Sequence, residues 1–194
     1  ELALLIAART AAMLATTDRY SEIHVKQILA TGSREGLALE SLGDQKIAER
    51  TGKLLGAERL IWGALERTEN GFKLKLAAGD GGKVVRNEVG LGRELAKAIE
   101  AAATVISYTA LRLDGVKGFK SPPAVAPKSD VAMTAFSHCY ATVVRQPMGI
   151  ENPTLLDAAE LQVAIAKCRE ALDADPALAK LLRDIPFLNG GLFE

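Results

Sequence analysis

Aromatic residues are scarce in this chain of 194 residues. They make up 5% of it, with a single tryptophan, Trp62. A core with so little aromatic volume must close on small side chains, and the abundant alanine points to closely approaching helices. Neither sign of charge dominates: Lys+Arg and Asp+Glu are both 24, for a formal net charge of zero. That balance argues against the broad basic footprint of a nucleic-acid binder, while leaving room for a local patch. No apolar run reaches the roughly 20 residues that cross a bilayer. The nearest, Leu2–Thr17, carries Arg9 in its middle and suits an amphipathic or buried helix. Cysteine is limited to Cys139 and Cys168, with no C-x-x-C pair, so the two cannot frame a zinc site by themselves. Their first reading is as buried core thiols. No glycine-rich phosphate loop follows a strand, and Ser137-His138-Cys139 lacks the glycine pattern of a nucleophile elbow. Hence no catalytic residue, metal or cofactor is expected. There is no signal-peptide layout, and the chain opens inside a predicted helix without an initiator methionine. It is therefore expected to be a piece of a longer protein, lacking a first strand.

What is present is strong local patterning. Leu2–Thr17 predicts a helix with Leu5, Ala8, Ala12 and Ala15 on one face. Tyr20–Leu29 alternates at Ile23 and Val25 and reads as a strand with one wet face, followed by a turn-rich break at ATGSREG. Asp44 can cap a helix running to Leu55, with Ile47, Thr51, Leu54 and Leu55 inward and Gly56 as its stop. Leu60–Leu65 is a mostly apolar run, as of a strand covered on both faces. Glu69-Asn70-Gly71 is hairpin chemistry. Phe72, Leu74 and Leu76 then alternate with Lys73 and Lys75. Gly79–Gly82 is a second tight turn, and KVVRNEVGL a third strand.

Arg93–Leu113 is the longest predicted helix, with Leu95, Ile99, Ala102, Ile106 and Leu113 near one stripe. The fold class is α/β: a mixed sheet with a strand meander packed by helices, followed by an α-helical hairpin. The expected organisation is an α/β domain over 1–113, a Pro/Gly-rich linker over 114–129 and a helical segment over 130–194. In that segment, Val131–Arg145 carries Ala135, Cys139 and Val143 inward, beside Phe136 and Tyr140. After a break at Gln146–Pro153, a helix from Thr154 to about Ala174 turns Leu161, Ala164, Ile165, Cys168, Ala171 and Leu172 inward. Pro176 opens another short helix at its first turn.

The span Lys46–Val85, with Leu55, Gly56, Ala57 and Gly63 at its marked positions, resembles the TolB amino-terminal-like α/β domain of bacterial envelope and signalling proteins. The resemblance covers about Leu4 to Leu111 and implies a protein partner, an assembly or binding role, and a periplasmic or outer-membrane-associated location, with the cytoplasm as alternative. AIAKCREALDADPALA, Ala164–Ala179, is similar to the second helix of a tetratricopeptide repeat, with Ala164, Ala171 and Pro176 on its small-residue and proline positions. Cys168 stands where an aromatic is commoner. Such repeats are stable only in stacks of about three, so the pair must pack on the α/β domain or on further repeats. The tail IPFLNGGLFE, Ile185–Glu194, looks like a segment of adenine-specific DNA methyltransferases of restriction systems, and SPPA (Ser121–Ala124) resembles their base-gripping loop without its aromatic.

Candidate sites follow. Trp62, on a strand read as central, is a core residue unless its face is open, when it becomes a partner-binding anchor. Lys73 and Lys75, flanked by Arg67 and Arg86, form either a small basic binding face or a solvated sheet face that resists aggregation. Gly79–Gly82 with Asp80 could cradle an anion but serves equally as a hairpin turn. Glu66 with Glu69, or Glu88 with Glu94, could pair as acid and base, and His24 could act as a base without a marked partner; solvated surface charge is the simpler reading of each. Cys139 and Cys168 fall on inward stripes of two helices expected to be antiparallel neighbours. They are expected to approach and, in an oxidising compartment, to form a disulfide.

Overall fold

The computed structural model describes residues 2–17, 19–21, 23, 25–36, 41, 43–79, 84–116, 129–145, 158–176 and 178. Its elements in chain order are α1 (Leu2–Ala15), α2 (Val25–Arg34), α3 (Gln45–Leu54), β1 (Leu60–Thr68), β2 (Gly71–Gly79), β3 (Val84–Leu91), α4 (Leu95–Leu113), α5 (Asp130–Arg145) and α6 (Ala158–Ala174). The architecture is α/β with helices. The sheet is an antiparallel meander in the order β1-β2-β3. None of the described helices is long and apolar enough to cross a membrane.

Register sorts the sheet residues onto two faces. Ile61, Leu65, Leu74, Leu76, Phe72, Val89 and Leu91 share the inner one, since Leu65 pairs with Leu74 and Leu74 with Val89. Helices α1 and α4 cover that face. Alanine accounts for the closeness of this packing: Ala98, Ala102 and Ala103 of α4 are fully buried. α1 and α4 are also joined by a bidentate ion pair, Arg9 Nε to Glu100 Oε2 at 2.8 Å and Nη2 to Oε1 at 2.9 Å. Such a fork fixes relative orientation as well as adding attraction. Thus Arg9, the charge that interrupts the apolar opening run, is the one that positions α1. The buried residues of α1 are Leu4, Leu5, Ile6, Thr10 and Met13, whereas the expected Ala12 and Ala15 are exposed. The larger side chains take the core and rotate the helix accordingly.

Helix α5 packs on α1, α2 and α4, and α6 packs along α5. One cluster of buried residues runs from Phe72 and Leu76 through Ile99 to Phe136, Cys139, Cys168 and Leu178, so the helical pair shares its core with the sheet. The start of α5 is tied to the start of α4. Asp130 Oδ1 accepts the Leu95 backbone N–H at 2.9 Å, while α4's own cap residue Glu94 makes no side-chain capping bond. Ser129 in turn caps α5, accepting the Ala132 N–H at 3.1 Å.

Several expectations are corrected. Tyr20–Leu29 is not a strand: α2 begins at Val25 and runs through the predicted break to Arg34. The alternation covered only Ile23 and Val25, whereas Val25, Ile28, Leu29 and Gly32 fit the i, i+3, i+4, i+7 helical spacing. β1 is covered only in part: it lies at the sheet edge and meets both α1 and α3, yet its residues are half-buried or exposed. The central strand is β2, whose Phe72, Leu74 and Leu76 are buried and whose Lys75 is exposed, matching its alternation. In α3, Asp44 caps as expected, accepting the Lys46 N–H at 2.9 Å. However, Leu54 is 52% exposed, and Ala48 and Gly52 are buried in its place. Small residues lie inward because α3 rides close on β1. The Pro/Gly-rich run from Lys117 to Lys128, the break at Gln146–Pro153 and the tail from Ile185 lie outside the described residues.

Gly63 of β1 faces the backbone of β2 so closely that a Cβ there would fall 2.2 Å from the Lys75 carbonyl oxygen. Backbone in a paired ladder cannot swing aside as a side chain can. Gly63→Ala is therefore expected to destabilise the protein by about 1–3 kcal/mol, through displaced strand pairing. Gly90→Ala on β3, where a Cβ meets nothing within 4 Å, should stay within about 0.5 kcal/mol of the parent. Urea unfolding of both variants, followed by circular dichroism, measures the contrast.

Candidate functional site

The outer face of the sheet gathers the candidate binding residues. Register places Trp62, Ala77 and Arg86 in one row, Ala64, Lys75 and Glu88 in the next, and Glu66, Lys73 and Gly90 in the third. Trp62 is half-buried, neither locked in the core nor fully open. Its strand lies at the sheet edge, contrary to the central position expected for it. Helix α3 covers the neighbouring end of this face: Gly52 lies against the Leu60 side chain, and Gln45 Oε1 accepts a hydrogen bond from Arg86 Nη2. The indole is thus flanked by a helix on one side and by charged rows on the other.

Lys73 and Lys75 do sit on this face, but they do not make it basic. Lys75 Nζ lies 2.7 Å from Glu66 Oε1, and Lys73 forms an ion pair with Glu88. The hydrogen bond from Lys75 to Glu66 holds the lysine's pKa above its ordinary value, and the Lys73 contact holds the Glu88 carboxyl below its own. Both contacts run diagonally across strands, linking residues of adjacent rows. The four side chains make an alternating lattice that fixes long, otherwise mobile groups in the two rows beside the tryptophan's. The two-residue turn at Glu69-Asn70 pairs Thr68 with Gly71 and so sets the β1–β2 rows that bring Glu66 beside the lysines.

The imagined acid–base pairs are not brought together as such. Glu66 is held by Lys75, Glu88 by Lys73 and Glu94 by Lys97. Ser137 donates to the Thr134 carbonyl at 2.8 Å within its own helix. His24, Gly82 and the Ser121–Ala124 loop lie outside the described residues. Among the described residues, no three His, Cys, Asp or Glu side chains are grouped to hold a metal ion.

Cys139 and Cys168 are joined by a disulfide, with Cα atoms 5.0 Å apart and a sequence separation of 29. Both are buried, at 0% and 5% exposure. Closing a loop of that length removes about 3.5 kcal/mol of conformational freedom from the unfolded chain on the entropic model. Beside it, Asp130, Val131, Thr134 and His138 of α5 face Lys167 and Glu170 of α6 across an open groove. The N-terminal half of one helix therefore lies against the C-terminal half of the other.

One further cluster had no signal in the sequence. Asp114, just past α4, accepts hydrogen bonds from the Tyr20 hydroxyl and from Arg59 Nε at 2.7 Å. It ties the segment after α1 and the approach to β1 to the end of α4, where Gly115 at φ +71 turns the chain and Val116 N–H bonds back to the Leu111 carbonyl at 2.9 Å. Partial burial pushes the Asp114 carboxyl up, but the bonds from Tyr20 and Arg59 outweigh it and hold its pKa below the usual carboxylate value. Burial first, then the bond to Asp114, pushes the Tyr20 hydroxyl up to about 12. Arg59 and Tyr20 lie 55 and 94 positions from Asp114, beyond any local pattern.

Two limits of stability follow. The carboxylate form of Asp114 is favoured in the fold, so its contribution is complete above the ordinary aspartate value near 3.8 and is lost as pH falls through the lower folded value. The neutral form of Tyr20 is favoured, so its contribution is complete below about pH 10 and is lost as pH rises through about 12. Asp114→Asn is expected to flatten the acid limb of a plot of melting temperature against pH and to lessen, without removing, the alkaline one, since burial alone still raises Tyr20; both limbs at the parent's slope would contradict the assignment. No known family model, curated protein or solved structure matches this chain.

Proposed function

We propose that this chain is a protein-interaction or assembly module of a bacterial envelope-associated protein, and that the outer sheet face around Trp62 is its partner-binding surface. The observation that carries the reading is the setting of Trp62: a half-buried indole on an edge strand, bordered on one side by α3 and on the other by the rows that hold the Lys73–Glu88 and Lys75–Glu66 pairs. An aromatic anchor inside a polar rim is how protein interfaces concentrate their binding energy. The rim is already paired, so docking would order few additional side chains.

The similarity of Lys46–Val85 to TolB amino-terminal-like domains, and of Ala164–Ala179 to a tetratricopeptide helix, supports the same class of work. The Cys139–Cys168 disulfide favours an oxidising compartment, which fits a periplasmic location better than a cytoplasmic one. The alternative of a DNA methyltransferase fragment rests on the tail alone. A small-ligand sensor, the third reading, would need an enclosed pocket between the sheet and α4.

Affinity capture with the oxidised chain from an envelope extract, followed by titration of the captured protein, tests the proposal. Trp62→Ala should weaken that complex by roughly thirtyfold or more, about 2 kcal/mol, with an unchanged circular dichroism spectrum. An undiminished affinity in that variant would remove Trp62 as the anchor. Measurable binding of S-adenosylmethionine by calorimetry would favour the methyltransferase reading instead.

A further inference from the structure

We infer that the Cys139–Cys168 disulfide is a redox-controlled latch on α6, which holds that helix docked while the bond is intact and lets it leave when the bond is reduced. The first support is connectivity. Among the described elements, α5 is the only one against which α6 makes more than marginal contact, whereas α5 itself is held by α1, α2 and α4. Freeing α6 therefore removes one layer from the outside and leaves the sheet, α1, α4 and α5 in place.

The second support is the chemistry of the docking stripe. Among the residues of α6 whose burial is described, Ala164, Cys168 and Ala171 are buried at i, i+4 and i+7, joined by half-buried Ile165 and Leu172. Alanine buries little apolar surface, so the stripe gives close approach with modest hydrophobic attraction. Most of a helix's stability in a protein comes from tertiary packing, and a stripe this small supplies little of it to α6. The ordering of α6 thus rests heavily on the covalent link. Lys167–Glu170 is an exposed ion pair within α6 itself and adds nothing across the boundary.

Burial sets how the latch opens. Cys139 is fully enclosed, and Cys168 is the less enclosed of the two. A dithiol reductant reaches the bond during brief local opening of the α5–α6 seam, with α6 still tethered through the intact disulfide. Its thiolate attacks the Cys168 sulfur, a mixed disulfide forms, and Cys139 departs as a thiolate that takes a proton from water. The second thiol of the reductant then closes on the first, expelling the Cys168 thiolate. The protein gains two electrons and two protons, and the dithiol becomes its cyclic disulfide. The reaction runs in reverse with an oxidised dithiol once α6 redocks.

Hydrogen–deuterium exchange on the whole chain, oxidised and then reduced with dithiothreitol, tests the latch. Amides of 158–174 should exchange faster on reduction by on the order of a hundredfold, while those of β2 and α4 keep their protection. The double variant Cys139→Ser with Cys168→Ser should show the reduced pattern without any reductant. Unchanged protection of α6 would overturn the latch, and so would an equal rise across α4 and β2, which would make the bond a staple of the entire fold. Two titratable thiols in protein purified without reductant would also sink it.

Discussion

Helix α4 can be shared by three neighbours because its contact residues are small. Ala98, Ala102 and Ala103 are fully buried and Ala110 nearly so, and they allow α1, α5 and the inner face of the sheet to approach one helix together. A bulkier stripe would hold at least one of them off. The rest of the molecule is arranged around this shared axis. Phe72, Leu74 and Leu76 supply the larger side chains that fill the space alanine leaves. Polar contacts then fix orientation: Arg9 grips Glu100 in the second turn of α4, Asp130 caps its beginning, and Asp114 anchors its end.

The same economy shapes the two sides of the sheet. The inner face is apolar and enclosed along β2 but carries exposed Arg67 on β1 and Asn87 on β3, whereas the outer face is divided between α3 and open charge. Small residues again decide the boundary, since Gly52 lets α3 settle on Leu60 and leaves Trp62 at the margin of the covered area. Beyond that margin the face is stabilised laterally by ion pairs. Such pairs contribute little to global stability at an exposed site, but a lattice of them restricts the directions its side chains can take.

Legibility in the sequence followed the range of each interaction. The Asp44 cap, the Gly56 stop, the meander and the burial alternation of β2 were visible because each depends on residues within about one turn or one hairpin. Trp62 was misplaced as central because an apolar run does not say whether a strand has one neighbour or two. Tyr20–Leu29 was misread because a two-residue alternation competes poorly with a helical spacing that reaches Gly32. The Tyr20–Asp114–Arg59 cluster carried no local signal at all. Of the candidate site, Trp62, Lys73 and Lys75 were named from the sequence, but their neutralisation by Glu66 and Glu88 emerges only when the rows of the sheet are aligned.

The bond between Asp130 and the Leu95 amide has a consequence for how the chain's parts depend on one another. A helix boundary is usually written in the residues beside it, yet α4 begins under a carboxylate supplied 35 positions downstream. The grammar of that boundary is therefore split between two distant words. For that cap to form, Asp130 must reach the start of α4 from the far end of the chain that follows Val116. Swapping the helical pair for another would alter the first turn of α4 as well, which makes the two halves poor candidates for independent exchange.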